Sequence, residues 1–181
     1  MAKEYVTAKR ASGEDIKRLR KSLNMTQKEL AAFANCSVRT VENWEESEGS
    51  ITGPMVTLMD ILLRQPELVK KLELPENRLK LRLFYMYKNI VCTVIDVDEL
   101  EHVIEVHDYI DKPLFRAFGV NPSPNFEDYE EFLGSRCFPR ERDKIKLELK
   151  RLDIPFYDPM MIIEKTQGRM AEDDFWIRIE R

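Results

Sequence analysis

The chain has 181 residues, 43% hydrophobic and 34% charged, with a formal net charge of −4. That composition excludes a disordered chain and leaves room for one ordinary domain or two small ones. No apolar run reaches the roughly 18–20 residues of a membrane span, and the N-terminus lacks an apolar core ahead of a small-residue cleavage site, so a cytoplasmic protein is expected. Cys36, Cys92 and Cys137 are odd in number and form no C-x-x-C pair, which points to idle thiols rather than disulfides or a cysteine zinc site. The charge is unevenly spread: residues 1–74 carry 12 basic against 11 acidic side chains, and residues 75–181 carry 17 against 22. Lys17, Arg18, Arg20 and Lys21 crowd into a turn and a half. An anionic partner should therefore meet the N-terminal part.

The first expected helix spans residues 13–24, with Ile16, Leu19 and Leu23 at helical spacing. Thr26 with Glu29 three residues on is a capping box that opens a second helix. Asn35 suits the left-handed residue after its end. Ser37 caps a third helix running to about residue 46. After the loop "SEGSITGP", Thr52 and Pro54 open a fourth helix, with Met55, Leu58, Met59, Leu62 and Leu63 on one side. Pro66 marks a break before "ELVKKLEL". Residues 75–84 read as a linker, with a hinge at "LPENRLK".

Beyond it the pattern changes to β-rich runs at residues 90–97 and 102–110, joined by an acidic turn as a hairpin. Asn125 caps "FEDYEEFLGSR". Pro139 starts "PRERDKIKLELKRL", where Ile145, Leu149 and Leu152 form a stripe. Asp158 and Pro159 form an N-cap and N1 pair for the next helix. "FWIRIER" closes the chain as an alternating strand that could pair with the hairpin. The expected architecture is mainly α plus α+β. A helical DNA-binding domain covers residues 1–74. A small α+β domain with a β-hairpin and about three helices covers residues 85–181.

Two short helices joined by a tight turn cannot stand alone, since isolated helices below roughly 12–15 residues are marginal in water. Packed on a third helix they make a helix-turn-helix, whose second member enters the DNA major groove. Val38, Val41 and Trp44 give that second member an apolar face, and its outer face is left polar. Thr26, Gln27, Glu29, Leu30, Ala31, Ser37, Thr40, Val41, Trp44 and Glu45 together resemble the pattern of the lambda-repressor/Cro-like (XRE) family over residues 13–73.

The resemblance implies double-stranded DNA as a partner and assigns roles to particular positions. Gln27 would contact phosphate and buttress the third helix. Val38, Arg39 and Asn43 would face bases. Ser37 and Thr40, with Lys17 and Arg18 of the basic helix, would complete the DNA-binding set. Arg can grip guanine and Asn adenine in bidentate pairs, and Val can meet a thymine methyl. Trp44 is expected in the core. The loop "EESEGS" departs from the family, which often places basic residues there. Either the basic first helix and the arm residues Lys3, Lys9 and Arg10 compensate, or a single domain binds weakly.

No catalytic constellation, cofactor motif or metal cluster emerges from the second half. His102 and His107 stand on a strand pattern and face opposite sides, so the nearby Asp96, Asp98, Glu99 and Glu101 read as a solvated hairpin. The run "SRCFPRERDK" reads either as an anion site or as a solvated helix face. Ser135, Arg136, Pro139, Arg142, Tyr157, Asp158 and "KTQGRMAEDDFW" resemble a small module found beside HipA-type toxin kinases, which implies a partner-binding role. Three functions remain open. One is a DNA-binding transcriptional regulator, a repressor, whose C-terminal domain dimerises or binds a protein partner. Another is an antitoxin-like protein that neutralises an enzyme and represses its own operon. The third is an enzyme with a DNA-binding appendage. A homodimer, or a larger complex in which a partner supplies the second contact, is expected, with Trp176 either at an interface or in the domain core.

Overall fold

The computed structural model describes residues 3–141 and 145–181. The chain divides into two compact units, Met1–Leu74 and Pro75–Arg181.

Among the described residues the N-terminal unit holds five helices: α1 Gly13–Ser22, α2 Gln27–Phe33, α3 Val38–Glu45, α4 Pro54–Arg64 and α5 Leu68–Leu72. Thr26 Oγ1 accepts from the Glu29 N–H at 3.2 Å, and Glu29 returns a bond to the Thr26 N–H. Ser12 and Asp15 form a second capping box at the start of α1, a signal passed over in the sequence. Asn24 and Asn35 end α1 and α2 at φ 55° and 52°; Asn tolerates this region because its short side chain bonds locally. The core is built on Ile16, Leu19, Leu30, Val41, Met55, Val56, Met59 and Leu62. Two details of α4 differ from expectation. Gly53, at φ 99°, is its N-cap in place of Thr52. Val56 is buried and Leu63 is 59% exposed, because the buried stripe passes through Met55, Val56, Met59 and Leu62 at helical spacing.

Gly13 is where α1 meets the end of α3. A Cβ there would stand 2.6 Å from the Trp44 carbonyl oxygen and 2.8 Å from that of Glu45. Both obstacles are backbone, so neither can swing aside. Gly13→Ala should therefore push α1 off α3 and destabilise the unit by about 1–3 kcal/mol, the usual cost of overpacking. A fall in the Trp44 fluorescence melting midpoint, measured in a Trp176→Phe background, checks this.

The C-terminal unit is a four-stranded antiparallel sheet in the order β3-β2-β1-β4, with β1 Leu81–Tyr87, β2 Ile90–Asp98, β3 Val103–Asp108 and β4 Phe175–Glu180. One face packs on α6 Phe126–Ser135, α7 Ile145–Leu152 and α8 Pro159–Thr166. Leu83, Tyr85, Ile95, Val97, Tyr129, Ile162, Ile163 and Ile177 form that core. Phe84, Met86 and Val94 are buried on the other face with Trp176 against them. The expected hairpin is thus β2–β3, but it belongs to a larger sheet. β1 begins at Leu81, inside the stretch 75–84 read as a linker. It is buried along both faces, so it shows a continuous apolar run in place of alternation. The closing strand β4 pairs with β1, not with the hairpin. Asn125 and Asp158 cap α6 and α8 as expected. His102 sits at φ 52° in the turn before β3 and stacks on Phe126 at 4.6 Å, while His107 is on the strand itself. The helix expected from Pro139 does not begin there: Pro139, Arg140 and Glu141 are not helical, and the helix is described from Ile145.

The residues of the C-terminal resemblance hold this sheet to its helices. Arg136 donates to both carboxylate oxygens of Asp173, at 2.7 and 3.0 Å, and to the carbonyls of Gly168 and Phe175. Gly168 has φ 60°, and a Cβ there would meet Arg136 Cβ at 3.2 Å. Tyr157 donates to the Phe138 carbonyl at 2.9 Å. Arg136 is therefore committed to the fold and not to an anion, and Arg140 lies over the Tyr157 ring at 5.2 Å. Arg142 lies outside the described residues. Cys92 and Cys137 are buried, and burial pushes the Cys137 thiol up to about 12.

Candidate nucleic-acid interface

α3 is positioned from beneath. Val41 is fully buried and Trp44 packs half-buried on the core of the N-terminal unit. Ser37 caps the helix, its Oγ accepting from the Thr40 N–H at 3.1 Å and lying 2.8 Å from Thr40 Oγ1. With those side chains turned inward or tied locally, the outer face carries Val38, 38% exposed, and the exposed Arg39 and Asn43. Arg39 and Asn43 are four apart and so share a face. Arg39 makes one bond to Glu42, at 3.3 Å and with 72% of its side chain in solvent. Such an exposed pair is worth about 0–1 kcal/mol, so the guanidinium can be released to a ligand at little cost.

Gln27 stands at the first position of α2, and its Nε2 donates to Glu45 Oε2 at 3.0 Å. Glu45 also receives Arg20 Nε at 2.6 Å and Nη2 at 3.0 Å, and Arg20 donates to the Met25 carbonyl. This network ties α1, the start of α2 and the end of α3 together. It was not foreseen. The signal was present: Arg20 lies four residues after Ile16 and three before Leu23, on the buried stripe of α1, where a charge requires a partner. It also corrects the electrostatic picture. Arg20 is spent inside the unit, with 14% of its side chain exposed. The basic cluster on α1 is therefore Lys17, Arg18 and Lys21, and Arg18 pairs with Asp15 at 3.8 Å. Glu45 drops out of the acidic loop for the same reason, leaving Glu46 and Glu48 exposed.

The Arg20 hydrogen bond, assisted by Gln27 and opposed by burial, holds the Glu45 carboxyl below the ordinary glutamate range. A carboxyl whose folded value is depressed adds stability above its unfolded value, about 4.3, and loses it as pH falls through the lower folded value. The N-terminal unit should therefore lose stability on acidification below about pH 4.3. Glu45→Gln should remove part of that acid-dependent loss. Melting curves across pH, followed at Trp44 with Trp176 replaced by Phe, read both effects.

Among the described residues no group of His, Cys, Asp and Glu is arranged to hold a metal ion, and no helix is long and apolar enough to cross a membrane.

In comparison with known proteins, residues 16–64 match the model of a family described as helix-turn-helix. The chain is also similar to the antitoxin HigA-2 of Vibrio cholerae, with 36% identity over 56 residues, which are 31% of this chain and 54% of that protein. The chain thus spans about half the length of that curated relative. No solved structure matches significantly.

Proposed function

We propose, from the helix-turn-helix family match of residues 16–64, that this protein is a sequence-specific DNA-binding transcriptional regulator acting as a repressor. The observation that carries this reading is the exposed face of α3. Arg39, Asn43 and Val38 stand clear of the core on a helix whose other side is anchored by Val41 and by the Arg20–Glu45–Gln27 network. In this reading those three residues meet base edges in the major groove. Gln27, Ser37, Thr40, Lys17 and Arg18 meet phosphates, which fix orientation and carry no sequence information. Gln27 serves mainly as the buttress, since its amide is already engaged with Glu45.

With a near-neutral N-terminal unit, one such domain supplies little electrostatic attraction. Two domains joined in a dimer raise apparent affinity through effective concentration, with no new contact to DNA. The C-terminal unit is the element assigned to that pairing or to a protein partner. Fluorescence anisotropy of the intact protein on DNA from upstream of its own gene, against a scrambled duplex, tests the reading. Tight binding to the first that survives at physiological salt supports it, and equal binding to both sinks it.

The similarity to an antitoxin favours a second reading. In it the C-terminal unit neutralises a partner enzyme while the N-terminal unit represses the shared operon. Co-expression with the adjacent reading frame separates the two readings. Growth arrest by that frame, relieved by this protein with α3 disabled, supports the antitoxin role, and absence of any arrest leaves the plain regulator.

A further inference from the structure

We propose that β3 is the self-association edge of this protein, and that two copies pair β3 with β3 antiparallel about Val106 to join their sheets. The proposal names the interface for the dimer invoked above and rests on that reading only for its purpose.

The two edges of the sheet are treated differently. On β4 the outward backbone is covered by the chain itself at Phe175 and Ile177. The Ile177 N–H donates to the Gln167 carbonyl at 2.7 Å, the Phe175 N–H donates to Asp173, and the Phe175 carbonyl accepts from Arg136. On β3 the alternation is set by the Tyr109 N–H, which donates inward to the Cys92 carbonyl at 2.9 Å. Continuing the same register, His107, Glu105 and Val103 exchange bonds with β2, and Ile104, Val106 and Asp108 direct their N–H and C=O groups outward. Among the described residues no covering bond is made to that outward row. Val103 is 44% exposed and Glu105, His107 and Asp108 are exposed. An unpaired row of this kind is a template for another strand.

The side chains select the occupant and the register. A twofold axis through Val106 places Val106 opposite its own copy and Ile104 opposite Asp108, so all three outward residues exchange backbone bonds. It also places Glu105 of each copy opposite His107 of the other, in the closely spaced pairs where side chains interact most. A carboxylate then faces an imidazole twice. The other centres are worse. An axis through Glu105 or Asp108 sets two carboxylates against each other, and like charges directly opposite destabilise a sheet. An axis through His107 leaves Ile104 unpaired, and one through Ile104 leaves His107 and Asp108 unpaired. Asp108 tolerates an apolar neighbour because its carboxylate is already answered within its own chain, by the Thr93 hydroxyl at 2.7 Å and by Arg116 at 3.4 Å. The edge is self-complementary, a hydrogen-bond acceptor on Glu105 meeting a donor on His107, which points to a second copy of this chain.

Sedimentation equilibrium of the intact protein tests this. The wild type should dimerise. Val106→Pro removes an outward donor and leaves the bonds to β2 in place, a position where a strand accepts proline. It should sediment as a monomer with an unchanged circular dichroism spectrum. Glu105→Lys should weaken the dimer roughly tenfold through two mismatched pairs. Glu105→Lys/His107→Glu, which sets opposite charges face to face, should recover it. A wild type that stays monomeric at high micromolar concentration overturns the proposal, as does a folded Val106→Pro variant that dimerises normally, or a charge swap that fails to rescue. DNA binding is scored separately with Arg39→Ala. That variant should dimerise normally, so a failed edge and a failed DNA reading give different results.

Discussion

Replacing Arg39 by alanine is expected to relax the protein's sequence preference at one base pair and to weaken binding to its preferred site by about 1–3 kcal/mol. The expectation comes from its position on the exposed face of α3, where among the described residues it is held by a single bond to Glu42. Lys17→Ala should behave differently. Lys17 lies on α1, away from the base-facing surface of this reading. Its loss should weaken binding to every sequence alike and lower the salt slope by about one. The pair separates base reading from phosphate contact, and a selected library in which Arg39→Ala keeps the full wild-type preference contradicts the assignment. Arg20→Ala would be a poor test of DNA contact, although it belongs to the same basic run in the sequence. Its guanidinium supports the Glu45 carboxylate and the Met25 carbonyl, so its loss would unseat α3 from within.

The second large effect is expected in the C-terminal unit. Arg82 on β1 donates to both oxygens of Asp96 on β2, at 2.8 and 2.7 Å, and Asp96 is fully buried. Arg82 also donates to the Pro75 and Asn77 carbonyls, drawing the start of the unit onto the sheet. Arg82→Ala leaves a buried carboxylate without its cation and should cost about 3–5 kcal/mol. Arg82→Met/Asp96→Leu removes both charges together. It should be far less damaging than the single change, because the penalty lies in the orphaned charge and not in the lost attraction. Thermal unfolding followed at Trp176, with Trp44 replaced by Phe, compares the three proteins. Equal losses in the single and double variants would show that the pair is held by geometry other than mutual compensation.

Local signals were legible in the sequence and long-range ones were not. The capping box at Thr26 and Glu29, the cap at Ser37 and the Asp158–Pro159 pair depend on residues within a turn of one another, and each falls where it was expected. The polar outer face of α3 could be read from spacing alone. β1 was hidden for a physical reason. A strand buried on both faces shows no alternation, and Lys80 and Arg82 made its start look like a solvated linker. The charge of Arg82 is in fact answered by Asp96, fourteen residues away and opposite it across the sheet. Arg20 and Glu45 are 25 residues apart, and Arg136 and Asp173 are 37 apart. In each case a buried cation on an apolar stripe was the clue, and its partner could be known only once the chain had folded. Trp176 illustrates the same limit. It lies against Phe84, Met86 and Val94 on the sheet face away from the helices, with its Nε1 donating to the Lys88 carbonyl at 2.7 Å. No periodicity within β4 could have assigned it to that face.

The measurement that tests the central claim most directly is a binding selection with the intact protein on a random double-stranded DNA library at physiological salt. The account predicts enrichment of two inverted half-sites with centres about 34–36 Å apart, one helical turn. It also predicts that Arg39→Ala and Asn43→Ala each alter the preference within the half-site. A library that emerges unenriched, or an enriched site whose sequence is unchanged by both substitutions, would contradict it.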